Sequence, residues 1–188
     1  MKKYEFTGET KRVELWNRTA TLHRIKATVE FGFVKVGELG GWIEKEENLS
    51  HEGKAWVWGN AKVWGNAKVW GNAKVCDDAK VWGNAKVWGN AEVCDDAKVW
   101  GNAKVCGDAE VFLASHVLVM GSVGSRNDFT TFFRDKDNEI TVKCGCFLGK
   151  IDKFLEKVTQ THGNNKYALV YRAAVEVAKL QIELTERK

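Results

Sequence analysis

Apolar and polar positions alternate with a fixed period through the middle of the chain. Valine returns every six residues at Val57, Val63, Val69, Val75, Val81, Val87, Val93, Val99, Val105, Val111, Val117 and Val123. A small residue stands two positions before each valine: alanine through position 109, then Ser115 and Gly121. Residues two apart on a strand point to the same side, so the small residue and the valine face inward while the residue between them faces out. Gly-Asn, Asp-Asp or Gly-Asp follows each unit through position 108, and these residue types tolerate the positive φ of a tight corner. Three such sides make an eighteen-residue coil, with successive coils about 4.8 Å apart. A short fixed period is the mark of a solenoid. A helix is excluded because the period is six rather than 3.6 and glycine stands at seven of the nine corners from position 59 to 107.

The pattern divides the chain into three. Residues 1–54 carry strand-like runs around 4–6, 27–36 and 42–44 and are expected to cap the lower end of the prism. Residues 55–124 form the repeat. Residues 125–188 read as a hairpin over 129–144, turning at Asp135-Lys136-Asp137-Asn138, and two helices at about 151–161 and 166–184. His162-Gly163-Asn164-Asn165 breaks the first helix and caps the second. Apolar residues from Tyr167 to Leu184 are spread widely round the last helix, which fits packing on two partners. Covering the prism, holding a trimer together and closing over a groove are the three roles open to it.

The unit Ala-Lys-Val-Trp-Gly-Asn resembles the hexapeptide repeats of left-handed parallel β-helix proteins. The flanks resemble those of phage and prophage hexapeptide-repeat proteins, through Leu22-His23-Arg24-Ile25-Lys26, Leu39-Gly40-Gly41-Trp42-Ile43-Glu44, Glu47-Asn48-Leu49-Ser50 and Ile140-Thr141-Val142-Lys143-Cys144-Gly145-Cys146-Phe147. The resemblance implies a mainly β chain with a left-handed, three-sided solenoid, a homotrimer, and a viral accessory protein in a bacterial cytoplasm. Many hexapeptide-repeat proteins are acyltransferases that use a histidine as general base between subunits. Only His116 of the four histidines falls within the repeat, and no loop leaves the coils before Phe112 to enclose a substrate. His116 is therefore a weak catalytic candidate, and a non-enzymatic reading leads.

Placing residues eighteen apart in columns separates three faces. The first carries Trp56, Lys74, Glu92 and Glu110, then Trp58, Cys76, Cys94 and Phe112, with Asp77, Asp78, Asp95 and Asp96 at its corners. The second carries Lys62, Lys80 and Lys98 beside Trp64, Trp82 and Trp100. The third carries Lys68, Lys86 and Lys104 beside Trp70, Trp88 and Cys106. Like charges about 5 Å apart repel by roughly 1 kcal/mol per pair even in water, and five exposed indoles call for a cover. Indole stacks on a base and ammonium neutralises phosphate, so these eleven Lys and Trp residues are the candidate site for a small anionic, nucleotide-like ligand held in grooves between subunits. A competing account has the acidic face of one prism pairing with a lysine row of the next, in a purely structural trimer.

Charge and composition narrow this further. The repeat holds seven lysines against seven acids and is neutral, which argues against a long nucleic acid. No stretch has the order of a secretory signal or the length of a membrane span, so a cytoplasmic protein is expected. Five cysteines exclude a fully paired framework and favour free thiols. Cys76 and Cys94 stack with aspartates but offer no compact four-ligand set, and neither a metal nor a cofactor is expected. Cys144 and Cys146 read as packing residues.

Overall fold

Each six-residue unit folds as a two-residue strand and a tight corner, in a computed structural model that describes residues 2–15 and 18–184. Strands eighteen residues apart pair in parallel and in register, so like stacks on like. Trp56, Lys74, Glu92 and Glu110 align on the first face. Trp42, Lys62, Lys80 and Lys98 align on the second, and Lys68, Lys86 and Lys104 on the third. The chain is thus mainly β, built on a parallel β-solenoid of about four turns with 18-residue coils. Ladder hydrogen bonds such as Trp64 N to Val81 O at 3.0 Å and Trp82 N to Val99 O at 3.0 Å satisfy the backbone between coils.

The corners show why aspartate replaces glycine at one column alone. Asp77 and Asp95 hold positive φ, 59° and 54°, where the preceding coil has Gly59. A Cβ at Gly59 would come no nearer than 3.7 Å to the next coil, whereas one at Gly89 would lie 2.8 Å from Gly107 N. The first-face corner has room for a side chain, and the third-face corner does not.

The inward alanines and ten valines from Val57 to Val111 form one buried column. Its lower end is closed by Tyr4, Ile25, Val34, Ile43 and Leu49 around the fully buried Trp56. Tyr4 and Ile25 come from the antiparallel strands Tyr4–Glu14 and Thr19–Ala27, which extend the second-face sheet beyond Leu39–Ile43, the strand that supplies Ile43. The expected strand near 27–36 is instead a turn-rich loop after a longer second strand.

The repeat ends earlier than its valines imply. Val117 and Val123 belong to strand Val117–Val123 of a four-stranded antiparallel sheet with Asp128–Arg134, Ile140–Cys144 and Phe147–Lys150. Beyond Val111 the corner dipeptides stop, and without them the chain cannot turn onto another side. Val117 and Phe133 close the upper end of the column. Helices α1 (Ile151–His162) and α2 (Lys166–Gln181) cover the other face of this sheet through Phe154, Val158, Tyr171 and Val175 on Phe132 and Val142. Asn165 caps α2 by accepting hydrogen bonds from Tyr167 N at 2.9 Å and Ala168 N at 3.2 Å. Among the described residues no helix is long and apolar enough to cross a membrane.

Candidate functional site

The lysines and tryptophans assigned to the second and third faces do fall into stacked columns, but the indoles are occupied by one another. Trp64 and Trp82 stack with centroids 5.0 Å apart, Trp82 and Trp100 at 5.4 Å, and Trp70 and Trp88 at 5.0 Å, all within 12° of parallel. No base fits between rings at that spacing. The expectation of five exposed indoles is corrected accordingly. Trp64 is 5% exposed, covered by Ala20, Leu22 and Trp42 of the N-terminal strands. Trp70, Trp82 and Trp88 are half-buried, and Trp100 alone is exposed, at 46%.

Trp100 has an open side because the second column stops there. Eighteen residues on, Leu118 has left the solenoid for the antiparallel sheet. The gap is a cavity of about 380 Å³ bounded by Trp100, Asn102, Val117, Leu118, Phe129 and Gln181. Lys98 points outward two residues before Trp100 and is exposed. Among the described residues, Lys62, Lys68, Lys80, Lys86 and Lys98 make no ion pair. Lys11 adds a further cation to the second face, its Nζ 4.4 Å from the centre of the Trp42 ring. Burial, then Lys11 and Lys80, lower the pKa of Lys62. Lys11 and the cavity-lining Phe129 and Gln181 were not foreseen, since they reach the site through the caps rather than the repeat, while Asn102 is a corner residue of the repeat itself.

The third column ends differently. Lys104 Nζ lies 3.3 Å from Asp128 and its backbone N donates to Thr131 Oγ1 at 3.0 Å. Cys106 is buried under the C-terminal sheet, and that burial raises its thiol pKa to about 11. Lys104 is therefore tied to its own chain.

The first face is also internally paired. Lys74 contacts Glu92 at 2.5 Å, and Arg134 contacts Glu110 at 3.2 Å while lying 4.7 Å over the Phe112 ring. Two of the acids assigned to a neighbouring prism are thus used within the chain. Cys76 and Cys94, expected as unpaired thiols, are joined in a disulfide, with Cα atoms 4.5 Å apart as the stacking register dictates. Cys106, Cys144 and Cys146 are free.

His116 does not reach a groove. The 3-10 turn Ala114–His116 carries it inward, where it is 0% exposed and its Nδ1 accepts from Phe112 N at 3.4 Å. Burial first, and then Arg134, lower its pKa to about 4. A buried imidazole so placed meets no substrate, and the general-base role is set aside.

Neither the family models nor the curated proteins contain a match to this chain. What the site can do rests on its own geometry: a flat aromatic surface at one end of an indole stack, open to a cavity, with ammonium groups on the same face that make no ion pair among the described residues.

Proposed function

We propose that this chain is a non-enzymatic, self-associating protein that binds and sequesters a small anionic ligand of nucleotide type. The ligand's ring stacks on the open side of Trp100, and its phosphate meets Lys98 and the lysines of the second face. The observation that carries this is the exposure of Trp100 onto a cavity at the end of a three-indole stack. An aromatic platform is worth about 1–3 kcal/mol per base stacked on it, and five lysines with no ion pair among the described residues favour an anion. The exposed Trp100 replaces the full set of ladder indoles as the stacking element, and the lysine rows keep their part.

Self-association is supported by the outer face of α2. Val170, Ala173, Val177 and Leu180 follow one another at spacings of three, four and three, and all are exposed, Leu180 at 89%. That is the spacing of a helix-to-helix seam, and a symmetric trimer is the assembly proposed for it. On the hexapeptide-repeat and phage resemblance of the sequence, the coil is left-handed and the sequestered ligand is a host defence signal in a bacterial cytoplasm.

Tryptophan fluorescence titrated with linear and cyclic nucleotides at two salt concentrations tests the reading. Quenching that weakens with salt and drops 5- to 150-fold in affinity in Trp100→Ala is expected. Silence towards every nucleotide overturns the ligand, and a light-scattering mass of one chain overturns self-association.

A further inference from the structure

The C-terminal unit holds a second cavity, of about 230 Å³, that no ladder residue lines. It lies between the turn before strand Asp128–Arg134, the Cys144–Phe147 turn, and helices α1 and α2. Its basic groups are Arg126, Lys157 and His162, and its lining contains no carboxylate. Among the described residues neither Arg126 nor Lys157 has an ion-pair partner. Asp128, whose pKa is lowered first by the hydrogen bond from Phe129 N at 2.7 Å and then by Lys104, feels Arg126 last. Two basic side chains thus face one small space whose lining holds no carboxylate.

Two glycines set the polar tips in place. A Cβ on Gly124 would lie 1.9 Å from Tyr171 Oη, and one on Gly145 would lie 2.7 Å from Arg126 Nη1. Both turns leave out a side chain where a functional group passes. Tyr171 Oη sits 3.9 Å from Cys144 Sγ, and its ring stacks with His162 at 5.9 Å. Ser125, in the same lining, supplies a second hydroxyl. The opposite wall is apolar, from Phe147, Phe154 and Val158.

A polar, cationic rim facing an aromatic wall selects a ligand with both characters. The volume falls below that of a drug-sized site, so the ligand is small. We infer that this cavity binds an organic phosphate monoester with one apolar ring, its phosphate between the Arg126 guanidinium and the Lys157 ammonium, its ring against Phe147 and Phe154. Arg126 offers the planar fork that matches two phosphate oxygens, and the hydroxyls of Ser125 and Tyr171 donate to the remaining ones. The site is separate from Trp100 and does not depend on the nucleotide reading.

Phenyl phosphate is the probe, followed by isothermal titration on the full chain. One molecule is expected to bind per chain, with affinity at least tenfold weaker in both Arg126→Gln and Lys157→Gln and changed less than twofold in Trp100→Ala. Arg126→Lys, which keeps the charge and loses the fork, should fall between. Inorganic phosphate and benzyl alcohol, each carrying half of the ligand's chemistry, should bind at least tenfold more weakly than phenyl phosphate. Absence of binding at millimolar phenyl phosphate overturns the inference, as does binding that survives both Arg126→Gln and Lys157→Gln. Binding lost only in Trp100→Ala also overturns it, while leaving the Trp100 site standing.

Discussion

The second and third faces carry the same Lys-Val-Trp units and end up with different chemistry. On the second, Trp64 is buried beneath the N-terminal strands and Trp100 is left open at the top. On the third, the column closes upward, with Cys106 under the C-terminal sheet and Lys104 held by Asp128. Identical repeats fix the stacking of a face, but what covers its two ends decides which of its groups meets solvent. In a quasi-one-dimensional fold each coil touches only its neighbours, so the ends are where equivalent residues become inequivalent.

The largest expected effect separates the two ends of the second column. Trp64→Ala removes a buried indole packed on Leu22 and Trp42 and should cost about 3–5 kcal/mol, the range for large aromatic truncations. Trp100→Ala removes a half-exposed ring and should cost less than half as much, while carrying the loss of nucleotide affinity. Urea denaturation of both variants checks this. Equal losses would mean that the two indoles are equally buried and that the open end does not exist.

The inward turn at His116 is what leaves Trp100 uncovered, and it carries a pH signature. Because the folded pKa is depressed to about 4, the unfolded chain binds the proton first as pH falls below the ordinary 6.5. Stability is therefore full above about pH 6.5 and declines towards pH 4. The difference between the two values corresponds to about 3 kcal/mol. His116→Gln keeps a hydrogen-bond acceptor for Phe112 N and has no such titration. Its stability should fall less steeply than the parent's by that amount between pH 7 and 4. Parallel slopes would place His116 in solvent in the native state.

How far the sequence reached follows the same division. The period of the valines and the corner dipeptides gave the solenoid, its eighteen-residue columns and the membership of all three faces, because a repeat states its own register. The hairpin and both helices were legible from local turn and period signals, with α2 ending at Gln181. Three features were not. The end of the coils was hidden by Val117 and Val123, which keep the period while belonging to another sheet. The burial of Trp64 depends on Leu22 and Trp42, remote in sequence and visible only once the N-terminal strands fold back. The Cys76–Cys94 bond follows from the register, but an odd cysteine count pointed the other way. The columns that hold the candidate residues were thus legible and the exposure of their indoles was not, since exposure is a property of the caps.

A smaller effect tests the open top directly. A Cβ at Gly101, on the second face, would meet nothing within 4 Å, while one at Gly89, on the third, would lie 2.8 Å from Gly107 N. Both positions have positive φ, 65° and 75°, so alanine is strained at each. Gly101→Ala should cost about 1 kcal/mol from backbone strain alone, and Gly89→Ala about 2 kcal/mol because the next coil must also shift. Thermal unfolding of the pair reads the difference. A reversal of their order would put a covering element over Gly101.

The smallest effect concerns Lys104. Its contact with Asp128 is partly exposed, so Asp128→Asn should change stability by no more than about 1 kcal/mol, and by less as salt rises. It frees a third lysine in the row of Lys68 and Lys86, yet adds no aromatic surface, because Cys106 stays buried. Nucleotide affinity should accordingly change by less than twofold if the ligand sits at Trp100. A tenfold gain would show instead that the ligand lies along the third face and that Asp128 competes with it for Lys104. The same substitution leaves Arg126 without the carboxylate that feels its charge, so a modest tightening of phenyl phosphate binding is expected alongside unchanged nucleotide binding. That divergence would separate the two sites in one variant.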